Sequence, residues 1–493
     1  TSQAADDQGV AFPYDLMAGH LQARYLLTKP ELASWLRSAE AEGLFQHDPY
    51  QSSHTPGRDV LQALVSLYPS YRQGRQLWQD LPDSLQQIAV LMTVQSDPAH
   101  IRRETVERFG HYMAASQEFS KAAFGLLRRT RAARGHPYDI NFLHCVLAGW
   151  SNTRRDLWWS SWLLREADTI EEDLKSLAVR WEAASPDERD IRRARWVMWT
   201  LTTTSRHMRD LATKALFQFA LARPTEYFRL AIDALGISDP YVPERVLAAG
   251  YGAALSTWSD LNACEMRTAL PQVAPQIVAT MFHPDAPHPS WHALLRQYAL
   301  GIIALARLID PGCIAHEDAS FLVAPFAHLP SPFDQLPAYE EVAIEETADS
   351  AIRMDFGNYT MGRLIPHRAN YDDEHPVYQQ VRRAVVARML QLGYDPEQFD
   401  PVDHGTPSRS RMHEPGKIDR FGKKYSWIAY FEMWGTRHAR GLLDEDRDGR
   451  PSDADIDPTF PPEARTLALP TGELFAGELN DIGAWILQGP SPD

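Results

Sequence analysis

Apolar residues recur at helical spacing through most of this chain, and the pattern is most regular between Ser205 and Ser256. Met208, Leu211, Ala212, Ala215, Leu216 and Phe219 form one stripe along one face of a helix. Pro224 closes that helix, and Phe228, Ala231, Ile232 and Leu235 stripe the next. Gly236 and the Ser238-Asp239-Pro240 turn then stop it. The third helix echoes the first: Arg209, Leu211, Ala212 and Phe219 have counterparts 36 residues on at Arg245, Leu247, Ala248 and Leu255. The Arg-x-x-Ala phrase returns at Arg296 and Ala299, 87 residues after the first, where Leu295, Tyr298, Ile302, Ile303 and Ala306 rebuild the stripe. A period of this size, with alanine where two helices must approach closely, predicts a HEAT-like α-solenoid rather than an ordinary bundle with a chance echo. Ala212, Ala248 and Ala299 are then expected at buried helix contacts.

The remaining pattern fits a mainly α chain. Thr28 and Pro30 open a helix that Gly43 ends, and further helices are predicted at Arg58–Tyr68, Asp83–Thr93 and Asp97–Arg134. Trp158, Trp159 and Trp162 cover more than one helical face, which fits a helix held between two neighbours rather than an exposed stacking platform. Five prolines between Pro311 and Pro337 predict an extended strap across a surface, followed by an acidic stretch at Tyr339–Asp349. Tyr378, Val381, Val385, Met389 and Leu392 stripe a helix that starts at Pro376 and ends at Gly393. Ile418, Phe421, Tyr425, Ile428 and Ala429 stripe another over Lys417–Tyr430, and past Gly441 the chain is acidic and Pro-rich. The expected organisation is an N-terminal helical region (1–135), HEAT-like repeats (136–310), an extended Pro-rich and acidic connection (311–375), and a C-terminal helical cap with an acidic loop (376–493).

Composition narrows the function classes. Apolar residues at 44% and 14 tryptophans supply a large core. Asp and Glu outnumber Lys and Arg by 65 to 49, a net charge of -16, so the surface as a whole is not a nucleic-acid platform. Nucleic acid is disfavoured as a partner, though local basic patches leave it open. Cys145, Cys264 and Cys313 lie far apart without CxxC spacing, which predicts neither a disulfide framework nor a zinc site and fits a reducing cytoplasm. No apolar run is long enough to span a bilayer, so no membrane association is expected.

Positive charge gathers at Arg128, Arg129, Arg131 and Arg134 and again at Arg189, Arg192, Arg193 and Arg195. The first cluster is either a solvated face at a helix C-terminus or a contact for an anion or nucleic acid. Arg420 and Lys424, four apart on the last predicted helix, offer a second such contact, with Tyr339–Asp349 or a partner as the acidic counterpart. Arg128, Arg129, Arg131, Arg192, Arg193, Arg420 and Lys424 are therefore the candidate partner-binding residues.

No catalytic constellation is present, and neither an enzyme nor a cofactor is expected. Gly422-Lys423 lacks the earlier glycine of a phosphate loop, Lys417 standing there, and lacks the following hydroxyl, Lys424 standing there. Asp355-Phe356-Gly357 copies a kinase metal-binding triplet without its upstream catalytic partner. Asp444, Asp446 and Asp448 give the first half of a calcium loop, but Asp455 stands where a bidentate Glu belongs and Pro451 where an aliphatic residue belongs. A solvated acidic loop is the simpler reading. The alternative function is a metal-dependent hydrolase or nuclease accessory domain using acidic residues near 355 or at 444–457.

Six phrases over residues 136–460 together resemble the helical-repeat region that follows the ATPase in bacterial STAND (NACHT-like) NTPases of the antiphage-defence type. They are His136-Pro137 through Asn141-Phe142-Leu143-His144, Arg155-Asp156-Leu157-Trp158-Trp159, Arg209-Asp210-x-Ala212-Thr213-Lys214-Ala215-Leu216, and Asp239-Pro240-Tyr241-Val242-x-Glu244-Arg245. Asp355-Phe356-Gly357-x-Tyr359 and Arg420-x-Gly422-Lys423-Lys424-Tyr425-x-Trp427-Ile428-Ala429 complete them. The resemblance implies a sensing module that binds a protein partner and oligomerises through an ATPase region. That ATPase is missing from this chain, so the module is either separated from it or stands alone.

Overall fold

The computed structural model describes residues 15–45, 56–258, 265–352, 356–365, 374–405 and 418–443. These residues are mainly helical and include no named strand, only an isolated antiparallel bridge between Ser205 and Ile418. The first helices are α1 (Asp15–Leu27), α2 (Leu32–Trp35), α3 (Ala39–Phe45), α4 (Pro56–Tyr71) and α5 (Asp83–Met92). They close a separate small core around Leu61, Leu64 and Tyr68.

A much larger core takes in Val90 and Leu91 at the end of α5 and continues with α6 (Arg103–Ala115) and α7 (Gln117–Thr130). The sequence predicts one helix over Asp97–Arg134, but the chain breaks at Ser116, which is extended (φ -132, ψ 120) and accepts from the Phe119 N–H at 3.2 Å. A capping serine can end one helix and start the next without glycine or proline. The core continues through α8 (Ile140–Gly149), α9 (Asn152–Arg155), a π-helical turn at Asp156–Ser160, and α10 (Ser161–Arg165). The core therefore spans the boundary expected at residue 135, with buried members on both sides of it, although Gly135 itself is exposed. Trp159 and Trp162 are buried in it as expected, and Trp159 packs edge-on to Phe124 at 5.0 Å.

From here the helices alternate between two layers. One contains α11 (Ala167–Ala183), α13 (Arg206–Ala222), α15 (Tyr241–Ser256) and α17 (Ala293–Ile309), each packed on the one before. The other contains α12 (Glu188–Thr200), α14 (Pro224–Leu235) and α16 (Met266–Ile277), packed in the same serial way. Ala212 and Ala299 are fully buried, as their repeated place predicts. Ala248 is not: it is half-buried, and α15 buries Ala249, Gly250, Ala253 and Ala254 instead. Helix α15 is rotated relative to the echo, so that Gly250 meets Tyr227 and Phe228, leaving 2.9 Å and 3.1 Å for an added Cβ. The echo is physical at its two ends. Arg209 donates to the Thr203 carbonyl at 2.7 Å, and Arg296 to the Ser290 carbonyl at 3.0 Å, each reaching six residues back into the preceding loop.

The Pro311–Pro337 segment crosses from this stack to the C-terminal helices with only a short 3-10 turn at Asp318–Leu322. Trp291 Nε1 donates to the Pro330 carbonyl at 2.9 Å, and Arg440 pairs with Asp334 at 2.8 Å. The acidic stretch after it is a helix, α18 (Glu341–Ala351), rather than an extended connection. Ile344, Ala348 and Ala351 sit at helical spacing and are buried, Ile344 and Ala348 in one cluster with Val386. Helices α19 (Pro376–Gln391), α20 (Pro396–Gly405) and α21 (Phe421–Ala439) complete the cap. Asp403 of α20 caps α21, accepting from the Phe421 N–H at 2.7 Å and the Gly422 N–H at 3.0 Å. Among the described residues no helix is long and apolar enough to cross a membrane.

Candidate functional site

A buried ammonium lies where the cap meets the helix stack. Lys424 lies one turn into α21, 2% exposed, and donates to Asp156 Oδ1 at 2.7 Å, Asp239 Oδ2 at 2.6 Å and the Thr202 carbonyl at 2.8 Å. The π-helical turn after α9 presents Asp156, and Ser160 of the same turn donates to Asp156 Oδ1 at 2.9 Å. Asp239 has a second task, accepting from the Tyr241 N–H at 3.1 Å where α15 begins. Burial pushes the Asp156 carboxyl above its ordinary range; Lys424 opposes that push and Asp239 adds to it. Tyr425, next to Lys424, is pushed well above the ordinary phenol value by burial and by these same two carboxylates. A lysine with three acceptors in a dry junction is a fixed tie between elements, because withdrawing any one group leaves a buried charge uncompensated.

Beside this tie is a cavity of about 400 Å³, lined by Arg206, Arg209, Tyr241, Glu244, Arg245, Leu294, Asp419, Trp427 and Phe431. Stack and cap both build it. The first turn of α13 supplies two arginines, α15 the Tyr241-Glu244-Arg245 face, and α21 the Trp427 and Phe431 rings, stacked with centroids 5.3 Å apart. Arg209 is 6% exposed, lies over the Tyr241 ring at 4.7 Å, and bonds the Thr203 carbonyl rather than a carboxylate. Arg245 is paired with Asp210 at 2.9 Å, and Asp419 with Lys423 at 2.8 Å. Glu244, 13% exposed, is pushed above the ordinary glutamate range by burial, with Arg245 and Arg209 pulling the other way. Behind it His292 is fully buried and pushed down to about 3 by burial. Its Nδ1 accepts from the Leu295 N–H, and its Nε2 lies 3.8 Å from Glu244 without a hydrogen bond. A guanidinium, an aromatic face and a half-shielded acid around one opening can hold a ligand carrying both a negative group and a ring.

The candidate partner-binding residues are dispersed. Arg128 forms a two-bond pair with Asp173 at 2.7 Å, which Arg131 joins at 3.0 Å while stacking on Trp196. Burial pulls Arg131 down to about 10. Arg129 is exposed beside them. Arg193 pairs with Asp190 at 2.6 Å, and Arg192 lies 3.7 Å from Asp139. Arg420 donates to the Ser350 carbonyl at 2.7 Å. Lys424 corrects the expected pairing with Tyr339–Asp349: its partners come from the helix stack, and at 2% exposure it offers no surface contact. The structure therefore brings Lys424 to the junction, turns Arg420 onto α18 within the cap, and commits the other arginines, apart from Arg129, to contacts within the chain.

Asp355, Asp444, Asp446, Asp448 and Asp455 lie outside the described residues, as does Cys264. Among the described residues no group of three or more His, Cys, Asp or Glu gathers as metal ligands would. Sequence reading missed the cavity itself. Arg209, Tyr241, Glu244, Arg245 and Trp427 all stand in the quoted phrases, but their spacing gave no sign that they share a wall. A comparison with protein-family models, with curated proteins and with solved structures finds no match.

Proposed function

We propose that this chain is a HEAT-like α-solenoid closed by a helical cap, and that it acts as a recognition module for a protein partner. The observation that carries the proposal is the serial two-layer stacking of α11 to α17. Its repeat is marked by the same reach of Arg209 and Arg296 to a carbonyl six residues upstream. Stacked helix pairs with nearest-neighbour packing present a long continuous surface, which such repeats use for binding other proteins. The resemblance to the repeat region of bacterial STAND NTPases makes a foreign protein met during infection the natural partner. On this reading an ATPase region elsewhere would turn binding into assembly.

The experiment is affinity capture with the full chain from infected and uninfected bacterial lysates, followed by purification of each captured protein. Size-exclusion chromatography with light scattering then measures whether a defined complex forms. A stable complex of fixed stoichiometry with one purified protein is the expected result. If every captured protein, once purified, runs apart from the chain at micromolar concentration, the recognition reading is wrong.

A further inference from the structure

The charges around the junction cavity do not balance among the described residues. Arg245 is committed to Asp210 and Asp419 to Lys423. Arg209 and Arg206 pair with no carboxylate among the described residues, while Glu244 of the same lining lies 3.8 Å from Arg245. Arg209 is nearly fully shielded and has only the longer-range pull of Glu244 in place of a paired carboxylate, so its guanidinium has lost water at a cost that a bound anion would reduce. One surplus positive charge suits one carboxylate. It suits a phosphate ester poorly, since that carries roughly -1.5 to -2 at neutral pH and would be repelled by Glu244 and Asp419 in the walls. The Trp427 and Phe431 rings in the same lining supply a face for a planar group, and arginine and tryptophan are among the residue types enriched where protein partners are anchored.

We infer that the cavity formed by Arg206, Arg209, Glu244, Trp427 and Phe431 takes a short acidic-aromatic segment of a protein partner, its carboxylate on Arg209 and Arg206 and its ring against Trp427 and Phe431. This deepens the recognition reading and rests on it for the origin of the segment. The binding chemistry is a charge-assisted two-bond clamp on the carboxylate, with apolar burial of the neighbouring ring. Because α13, α15 and α21 each supply a wall, the site depends on the cap staying docked on the stack, to which Lys424 ties it together with the Asp419 N–H, which donates to the Thr204 carbonyl at 3.2 Å.

The test uses the full chain and a fluorescein-labelled twelve-residue Gly-Ser peptide carrying one Glu-Phe pair, read by fluorescence anisotropy. Two control peptides replace Glu with Gln or Phe with Ala, and adenosine monophosphate serves as competitor. Saturable binding of the Glu-Phe peptide is expected, roughly tenfold or more weaker for either control. The exposed Arg206→Glu variant should weaken it similarly while leaving thermal unfolding unchanged. Arg209→Lys keeps the charge but loses the two-bond geometry, and should weaken the Glu peptide more than the Gln peptide. Equal binding of the Glu and Gln peptides, indifference to both variants, or displacement of the peptide by adenosine monophosphate would overturn the assignment. Retention of the purified lysate partner by Arg206→Glu and Arg209→Lys overturns the cavity while leaving the recognition reading standing. Peptide binding without any stable protein complex keeps the cavity's chemistry and removes the partner.

Discussion

Replacing Lys424 with methionine tests whether the cap is held by the buried tie. The substitution keeps most of the side-chain volume and removes one positive charge from between Asp156 and Asp239, which are 2% and 3% exposed. Breaking a buried pair by deleting one partner costs about 3–5 kcal/mol, because the remaining charge is left dry. Here two carboxylates are left, so the cost should fall in the upper part of that range at neutral pH. Asp156 is already pushed up by burial, and Lys424 is the first of the influences that pull it back. Its loss raises the folded-state value further. A carboxyl whose folded value lies above its unfolded value contributes stability that is whole at low pH and is lost as pH rises through the folded value. The defect of Lys424→Met should therefore be largest at pH 8 and shrink towards pH 5. Adding Asp156→Asn should recover part of it at pH 8 and less at pH 5.

Urea unfolding by circular dichroism gives the cost, and hydrogen exchange of residues 418–443 against 206–256 shows where it acts. Protection should fall first in α21, because the tie is its anchor to the stack. A Lys424→Met chain within about 1 kcal/mol of the parent at pH 8, with α21 still protected, would mean that apolar packing of Phe421, Tyr425 and Ile428 holds the cap alone.

Leucine at Ala212 or Ala299 should overpack the two fully buried positions and cost about 1–3 kcal/mol, whereas Ala248→Leu should change the thermal midpoint little. Equal costs at all three would contradict the rotated register of α15. His292 is pushed down to about 3 from 6.5, so its contribution is whole above pH 6.5 and is lost as pH falls towards 3. His292→Asn keeps a capping acceptor for the Leu295 N–H and should flatten the decline of stability over that window; an unchanged decline places the acid sensitivity elsewhere. The chain should neither bind nor hydrolyse ATP, since Gly422-Lys423 opens a buried helix instead of a phosphate loop. Saturable nucleotide binding by calorimetry, lost on changing Lys423, would refute this.

The helices were legible because burial of one face imposes a local period, and the stripes of α13, α14, α17, α19 and α21 all face core. The phase of α15 was not. A repeated phrase reports residue identity at a fixed offset, while the closest approach of two helices depends on rotation, and at α15 the contact had moved to Gly250. The break at Ser116 was also hidden, since α6 and α7 both carry helix-forming residues up to a single capping position. Gly422, beside the stripe of α21, allows a close approach. An added Cβ there would lie 2.8 Å from the Tyr394 hydroxyl and 3.1 Å from the Ala351 Cβ.

The two lysines of α21 show where a local reading of the site stops. Adjacent residues point about 100° apart on a helix, so the two take different directions. Lys423 turns to Asp419, four residues away, an exchange that local spacing can suggest. Lys424 turns to Asp156 and Asp239, 268 and 185 residues away, and no periodicity encodes such a pairing. Yet four of the six quoted phrases meet at this place: Arg155-Asp156, Arg209, Asp239 to Arg245, and Arg420 to Trp427. Phe356 of a fifth packs edge-on to Trp427 at 5.0 Å. The phrase at His136–His144 stays apart, and Tyr138 serves the large core around Phe109. Residues far apart in the chain can share a junction in this way because a buried charge needs its partners in fixed places, whereas an apolar contact tolerates exchange for another of similar volume. The polar members of these phrases therefore mark the junction more sharply than any stripe does. The cavity beside it is formed when those charges close the cap onto the stack.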